Sequence, residues 1–251
     1  MSVHRVQQVM GTTISMDLVD THDTTLADRL EAWFTHVDHT FSPYREDSPI
    51  TRLGRGELGD HELTDEILSV LEGCEQLCAD SDGVFDVWNL PSPNGTRFDP
   101  CGYVKGWSVQ RAADLLVEEG VQDFCLNAGG DIALRGRNHK GEVWSVGVRH
   151  PHDAGLVALV LHGEGPLAVA TSGTYERGAH IVDPRTGDAV TDLASVTVVG
   201  PDLTAADAYA TTVFAMGMDG LTWLAAHDGY ECAAITHDLR LVSTPGLGAY
   251  R

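Results

Sequence analysis

The sequence predicts an α+β fold, with mixed or antiparallel sheets carrying flanking helices. Three observations support this. Strands and helices come in runs rather than in strict alternation, which disfavours a doubly wound parallel sheet. The 251 residues suffice for a full core, as one domain or as two closely packed lobes. No long Pro/Ser/Gly-rich linker, low-complexity run or internal repeat divides the chain, so residues 1–251 read as a single domain.

Taken in order, the alternation in VMGTTISMDLVD predicts a first strand from Val9 to Asp20. DTTLADRLEAWFTHVDHTF predicts a helix with Leu26, Leu30, Trp33 and Val37 on one face. FSPYREDSPITRL is a polar loop carrying Tyr44, and LTDEILSVLEGCEQLCADSDG is a helix capped by Thr64 and stopped at Asp82–Gly83. VKGWSVQRAADLLVEEG opens a helix beside Lys105, and VQDFCLNAGGDIALRG reads as strand, glycine turn, strand. Strands follow at VWSVGVRH, LVALVLHG and LAVATSG. His180 then starts a further apolar strand, which a turn at DPRTG closes, and another strand lies at ASVTVVG. TAADAYATTVFAMG, residues 204–217, is a helix, LTWLAAHDG a short helix, and ECAAITHDLRLVSTPG a closing strand pair.

Composition excludes some functions. A net charge of −21 opposes nonspecific binding to nucleic acid or to an anionic membrane, because both partners are negative. An anionic small molecule stays admissible where a local site, helped by a metal, opposes the global field. The N-terminal stretch lacks the basic start, apolar core and cleavage site of a secretory signal, and no apolar run reaches membrane-spanning length; a cytoplasmic location is expected. Five cysteines without paired C-x-x-C spacing fit reduced thiols, and Cys74 with Cys78 fits core packing. Lys105 and Lys140 are the only lysines. Lys140 sits in a polar turn, whereas Lys105 lies between glycines and apolar residues, a poor place for an idle charge.

Three patterns carry candidate chemistry. Asp207 and Thr211 are four residues apart in an apolar helix, so they share a face and are possible co-ligands of a metal. Thr204 and Asp207 equally fit a capping box, with Gly217 as the C-terminal stop, and both readings stand. NAGGDI sets Asn127, Gly129, Gly130 and Asp131 in one turn, which suits an anion cradle as well as a routine hairpin. TSGTYERGAHIVDPRTG offers Thr171 and Ser172 at a strand end and His180 as a group able to exchange protons near neutrality. His150 and His152 have H-x-H spacing, but Pro151 and the loop setting argue against zinc.

In order along the chain stand MGT (residues 10–12), FSPYREDSPITRL (41–53), DGVFD (82–86), GYVKGW (102–107), LNAGGDI (126–132), TSGTYER (171–177), HIVDPRTG (180–187), SVTVVG (195–200) and ADAYATTVFAMG (206–217). This set resembles the ApbE family, the FAD:protein FMN transferases. The resemblance spans nearly the whole chain and implies a two-lobed, T-fold-like domain. It also implies a Mg²⁺-dependent reaction: FAD is cut at its pyrophosphate, AMP leaves, and FMN is esterified to a threonine hydroxyl of an acceptor protein. The metal ligands it implies are Asp207, Thr211 and the backbone carbonyl of Gly102, which gives the Asp/Thr pair its role. Lys105 with the metal would neutralise the pyrophosphate, and Asn127, Gly129, Gly130 and Asp131 would position the dinucleotide. Tyr44 would stack on the isoalloxazine, Met10 would line the pocket, and Thr171, Ser172 and Glu176 would contact the nucleotide end. His180 would take the proton of the attacking threonine. The acceptors of the family usually carry a D-x-x-[ST]-[GS]-A-T segment.

The chain departs from the family pattern in three places. Asp99-Pro100-Cys101-Gly102 stands where D-x-G-G is common, Gln110 stands where an acid is common, and the segment from Tyr175 to His180 is short. Two other functions compete with the transferase. One is a pyrophosphatase giving FMN and AMP, which differs only in using water as acceptor. The other is a non-catalytic FAD-binding protein, which would need neither base nor metal. A Nudix-type pyrophosphatase is disfavoured, because its Glu-rich helix signature is absent.

Overall fold

The structure is a computed structural model and describes residues 2–92, 95–163, 165–173 and 192–251. Its frame is an eight-stranded sheet in the order β1-β2-β5-β6-β9-β10-β11-β12. Every neighbouring pair in it is antiparallel, so of the two sheet types expected the antiparallel one is found.

The strands are β1 (Val3–Val9), β2 (Thr12–Leu18), β5 (Phe124–Ala128), β6 (Asp131–Arg135), β9 (Leu167–Gly173), β10 (Leu193–Gly200), β11 (Glu231–Thr236) and β12 (Leu241–Ser243). Two hairpins stand apart from the sheet, β3 (Leu90–Ser92) with β4 (Gly95–Arg97), and β7 (Trp144–His150) with β8 (Asp153–Gly163). The helices are α1 (Thr24–Phe41), α2 (Pro49–Gly54), α3 (Asp65–Asp80), α4 (Cys101–Glu118), α5 (Leu203–Met216) and α6 (Asp219–Leu224). The strand and turn expected from His180 to Gly187 lie outside the described residues.

Alternation along the central strands sorts side chains onto two faces. Ala168 and Ala170, Val196 and Val198, and Cys232 and Ala234 pack with α1, α4 and α5 in the main core. Val169, Val199 and Ala233 point the other way, against Val146, Val148, Leu159 and Leu161 of the β7–β8 hairpin. A second core joins α3 to the ends of α1 and α4 through Val37, Phe41, Val70, Leu71, Cys74, Val104 and Trp107. Met10, Trp33, Tyr209 and Trp223 border both cores, so the two cores share a seam. Burial pushes the Cys74, Cys125 and Cys232 thiols up to about 12, in keeping with packed, unreactive cysteines.

Three boundaries differ from the sequence reading. The single strand expected over residues 9–20 is a hairpin: Val9 pairs with Thr12, and Met10 and Gly11 turn the chain with φ of 55° and 69°. Positive φ at both central residues is the requirement of a type I′ turn, and the alternation hid it by running on through Met10. Helix α4 opens at Cys101, ahead of Val104, because Asp99 Oδ1 accepts the Cys101 N–H at 3.0 Å and so satisfies a first-turn donor. Helix α5 opens at Leu203 with Asp202 as its cap, whose Oδ1 accepts from Ala205 N at 3.0 Å. Of the two readings left open for Asp207, the capping box with Thr204 is thus absent. Gly217 does end α5, with φ of 65°. Thr64 caps α3, and Asp82 and Gly83 stop it at positive φ, as expected.

Candidate functional site

The site forms where α4 and α5 cross at the ends of β6 and β9. Gly106 makes that crossing possible. A Cβ there would lie 2.5 Å from the Leu203 carbonyl oxygen and 2.7 Å from Asp207 Cβ, so any other residue would force the helices apart. The close approach lets Gly106 N donate to Asp207 Oδ2 at 2.9 Å. In α-helical geometry that N–H belongs to the carbonyl of Gly102. Asp207 therefore draws on the donor of the very carbonyl that the sequence reading names as a ligand.

Charge concentrates here on buried carboxylates. Asp131 and Asp207 are 2% and 3% exposed. Lys105, from the second turn of α4, lies between them: its Nζ is in close ion-pair contact with Asp131 Oδ2 and stands 3.6 Å from Asp207 Oδ1. Burial pushes the Asp207 carboxyl up to about 7; the Lys105 ammonium opposes the rise and the Asp131 carboxylate adds to it. Asp131 Oδ1 accepts from Thr171 N at 3.0 Å, which fixes the end of β9. Ser172 Oγ lies 3.2 Å from Thr211 Oγ1, bringing the α5 hydroxyl to the strand end.

Lys105 and Asp207 open onto a cavity of about 590 Å³, well within the range of small-molecule sites. Lys105, Asp207, Thr211 and Gly102 line it on the α4–α5 side, and Thr171 and Ser172 close it at β9. Met10, at the β1–β2 turn, and Tyr44, 77% exposed, also line it. Asn127, Gly129, Gly130 and Asp131 do not line it among the described residues. Asn127 Oδ1 accepts from Gly130 N at 2.8 Å and shapes the β5–β6 turn, while Asp131 sits behind Lys105. Glu176 and His180 lie outside the described residues. His150 and His152 meet edge to face on the separate β7–β8 hairpin, away from these groups.

Sequence reasoning missed several supports. Gly106 is a glycine inside a helical pattern, a signal of close packing that was there to read. Gln110 Oε1 accepts from Leu203 N at 2.8 Å and ties α4 to the start of α5. Asp99, with only 6% of its surface exposed, pairs with Arg97 at 3.1 Å, and both line the cavity with Cys101. Gln110 is marked in the sequence only as a departure from the family pattern, since its partner Leu203 is 93 residues away, whereas Arg97 pairs with its near neighbour Asp99.

The pattern that defines the ApbE family matches residues 10–92 and 89–235. The chain belongs to the ApbE family. Among ApbE relatives, a protein of Rhodobacter capsulatus named FAD:protein FMN transferase is 28% identical over 90% of this chain and 41% of its own length. A Vibrio cholerae protein of the same name is 26% identical over 86% of this chain and 81% of its own length. The chain thus spans less than half of the first relative and most of the second. In fold it is similar to the flavin transferase ApbE from V. cholerae, with a TM-score of 0.86, 23% identity and coverage of 100% and 99% of the two chains. The apo flavinyl transferase ApbE of Pseudomonas stutzeri gives 0.84 at 24% identity, covering 100% of this chain and 96% of that one. These likenesses bear out the ApbE-like α+β fold. Among the described residues, no helix is long and apolar enough to cross a membrane.

Proposed function

We propose that this chain transfers FMN from FAD to a threonine hydroxyl of an acceptor protein and releases AMP. One observation carries the reading: a lysine and a buried carboxylate, with a hydroxyl four residues along the same helix, converge on one wall of a cavity of ligand size. The activity named for the family's relatives needs such a place for a pyrophosphate.

The residues fit a magnesium ion. Asp207 offers a carboxylate, Thr211 a hydroxyl and Gly102 a carbonyl whose helical donor also serves Asp207, and all three are hard oxygen donors. Few protein ligands suffice, because magnesium keeps waters and takes substrate phosphate oxygens. No cluster of three or more His, Cys, Asp or Glu suited to a metal occurs among the described residues, and this donor set does not require one. When bound, the ion would supply Lewis acidity toward the pyrophosphate.

The chain's own groups carry the remaining steps. Lys105 offers its ammonium to the phosphoryl oxygens, where charge grows as the anhydride P–O bond breaks and AMP leaves. Tyr44 stacks on the isoalloxazine, with Met10 also lining the cavity. Thr171 and Ser172, with Glu176, contact the nucleotide end, and the turn at Asn127, Gly129 and Gly130 steadies the strand ends behind them. His180 takes the proton of the attacking hydroxyl as its oxygen bonds to phosphorus. The acceptor carries a D-x-x-[ST]-[GS]-A-T segment.

The test is to incubate the protein with FAD, Mg²⁺ and a protein bearing that segment, and then to separate the nucleotides and weigh the acceptor. AMP together with an acceptor heavier by one FMN phosphoryl unit is expected. AMP with free FMN and an unmodified acceptor would make the chain a pyrophosphatase. Intact bound FAD, indifferent to Mg²⁺, would leave only binding.

A further inference from the structure

Asp131 was expected among the residues that touch the dinucleotide, yet it does not line the cavity. It is 2% exposed, at the first position of β6. Each of its oxygens is committed to a protein group. Oδ1 takes the Thr171 N–H at 3.0 Å, and Oδ2 faces the Lys105 ammonium in a close ion pair.

The same ammonium stands 3.6 Å from Asp207 Oδ1. One cation therefore lies between two buried carboxylates, and the nearer one decides what the farther one has left to offer. A lysine stem is flexible and its ammonium is a point charge that re-aims easily. With Asp131 neutralised, Lys105 would swing onto Asp207 and occupy the oxygen that a divalent cation needs. Thr171 would keep an acceptor, since an amide oxygen also accepts, though more weakly than a carboxylate.

We propose that Asp131 is a positioning residue that takes the closer contact with Lys105 and so limits its pairing with Asp207, leaving the Asp207 carboxylate available to a divalent cation and the ammonium directed at the cavity. This rests on the metal-site reading given above. It assigns Asp131 an action through Lys105, with no contact to the ligand.

The test uses Mn²⁺, a hard divalent ion that favours oxygen ligands, titrated into the FAD-free protein and followed by the electron paramagnetic resonance of free Mn²⁺. Asp131→Asn is expected to weaken Mn²⁺ binding about tenfold or more. In a Lys105→Met background the same change is expected to have no effect, since the competitor is gone. Equal weakening in both backgrounds would mean that Asp131 acts by its own charge, and an unchanged affinity in Asp131→Asn would mean that it acts on neither; each result overturns the proposal. Should Asp131→Asn fail to fold by circular dichroism, Lys105→Met and Lys105→Met/Asp131→Asn decide between themselves: equal affinities support it, and a loss in the double variant refutes it. Absence of Mn²⁺ binding by the native protein would sink the metal-site reading first, and this proposal with it.

Discussion

Replacing Gly106 with alanine sets two effects of opposite sign against each other. In a helix interior, alanine is favoured over glycine by about 1 kcal/mol, so propensity alone predicts a more stable protein. The structure predicts the reverse. The new Cβ would meet the Leu203 carbonyl oxygen at 2.5 Å and Asp207 Cβ at 2.7 Å. Ordinary carbon contacts begin near 3.5 Å, so α4 and α5 would have to part by about 1 Å. Overpacking costs about 1–3 kcal/mol, and contacts this short against a backbone carbonyl put the cost here at about 2–3 kcal/mol, so the propensity gain leaves a net loss of about 1–2 kcal/mol. For a chain of this size that is a Tm lower by about 2–8 °C. Activity should fall further than stability, because the displaced group is Asp207 and a shift of about 1 Å in a catalytic constellation costs on the order of 10²-fold. Thermal unfolding by circular dichroism and AMP release from FAD read the two effects separately. A Tm equal to or above the native value, with activity within about twofold, would refute the close-approach argument.

Other outcomes follow from the same geometry. Because burial raises the Asp207 carboxyl to about 7, the folded protein holds a proton that the unfolded chain releases near 3.8. The metal-free protein should therefore lose stability as pH rises between those values, and Asp207→Asn should flatten this slope in Tm measured with EDTA. Mg²⁺ activation should weaken as pH falls below about 7, since the ligand must be deprotonated; a Mg²⁺ requirement constant from pH 5.5 to 8 would contradict this. Gln110→Ala removes the acceptor for Leu203 N and should cost about 1 kcal/mol, a Tm drop of about 2–4 °C, whereas Gln110→Glu should restore it at the helix start. Tyr44 is 77% exposed, so Tyr44→Ala should leave Tm unchanged while raising the KM for FAD about tenfold through lost stacking.

The sequence disclosed what is local and periodic. The helix faces of Leu26, Leu30 and Val37, the Thr64 cap and the strand–turn–strand at NAGGDI all follow from short-range rules and are found in the structure. Asp207 and Thr211 were visible as a pair because helical spacing put them on one face. What escaped depends on partners distant in sequence. The Met10–Gly11 turn hides inside an unbroken alternation, and local sequence fits Asp207 to a cap as well as to a ligand, whereas Asp202 fills the cap in the structure. Gln110 meets Leu203, and Asp131 meets Lys105, only once α4, α5 and the sheet are assembled. Asp131 is the instructive case. Its motif marked it as important, but nothing local said whether it faces the ligand or the lysine.

In the proposed site, Lys105, Asp207, Thr211 and the Gly102 carbonyl hold the pyrophosphate of FAD with a magnesium ion. A crystal structure of the chain with FAD and Mg²⁺ would show this directly. A cation bound to Asp207, Thr211 and Gly102 is expected, with pyrophosphate oxygens against Lys105 and the isoalloxazine at Tyr44. A flavin seated elsewhere, or a cation that bypasses Asp207, would contradict it.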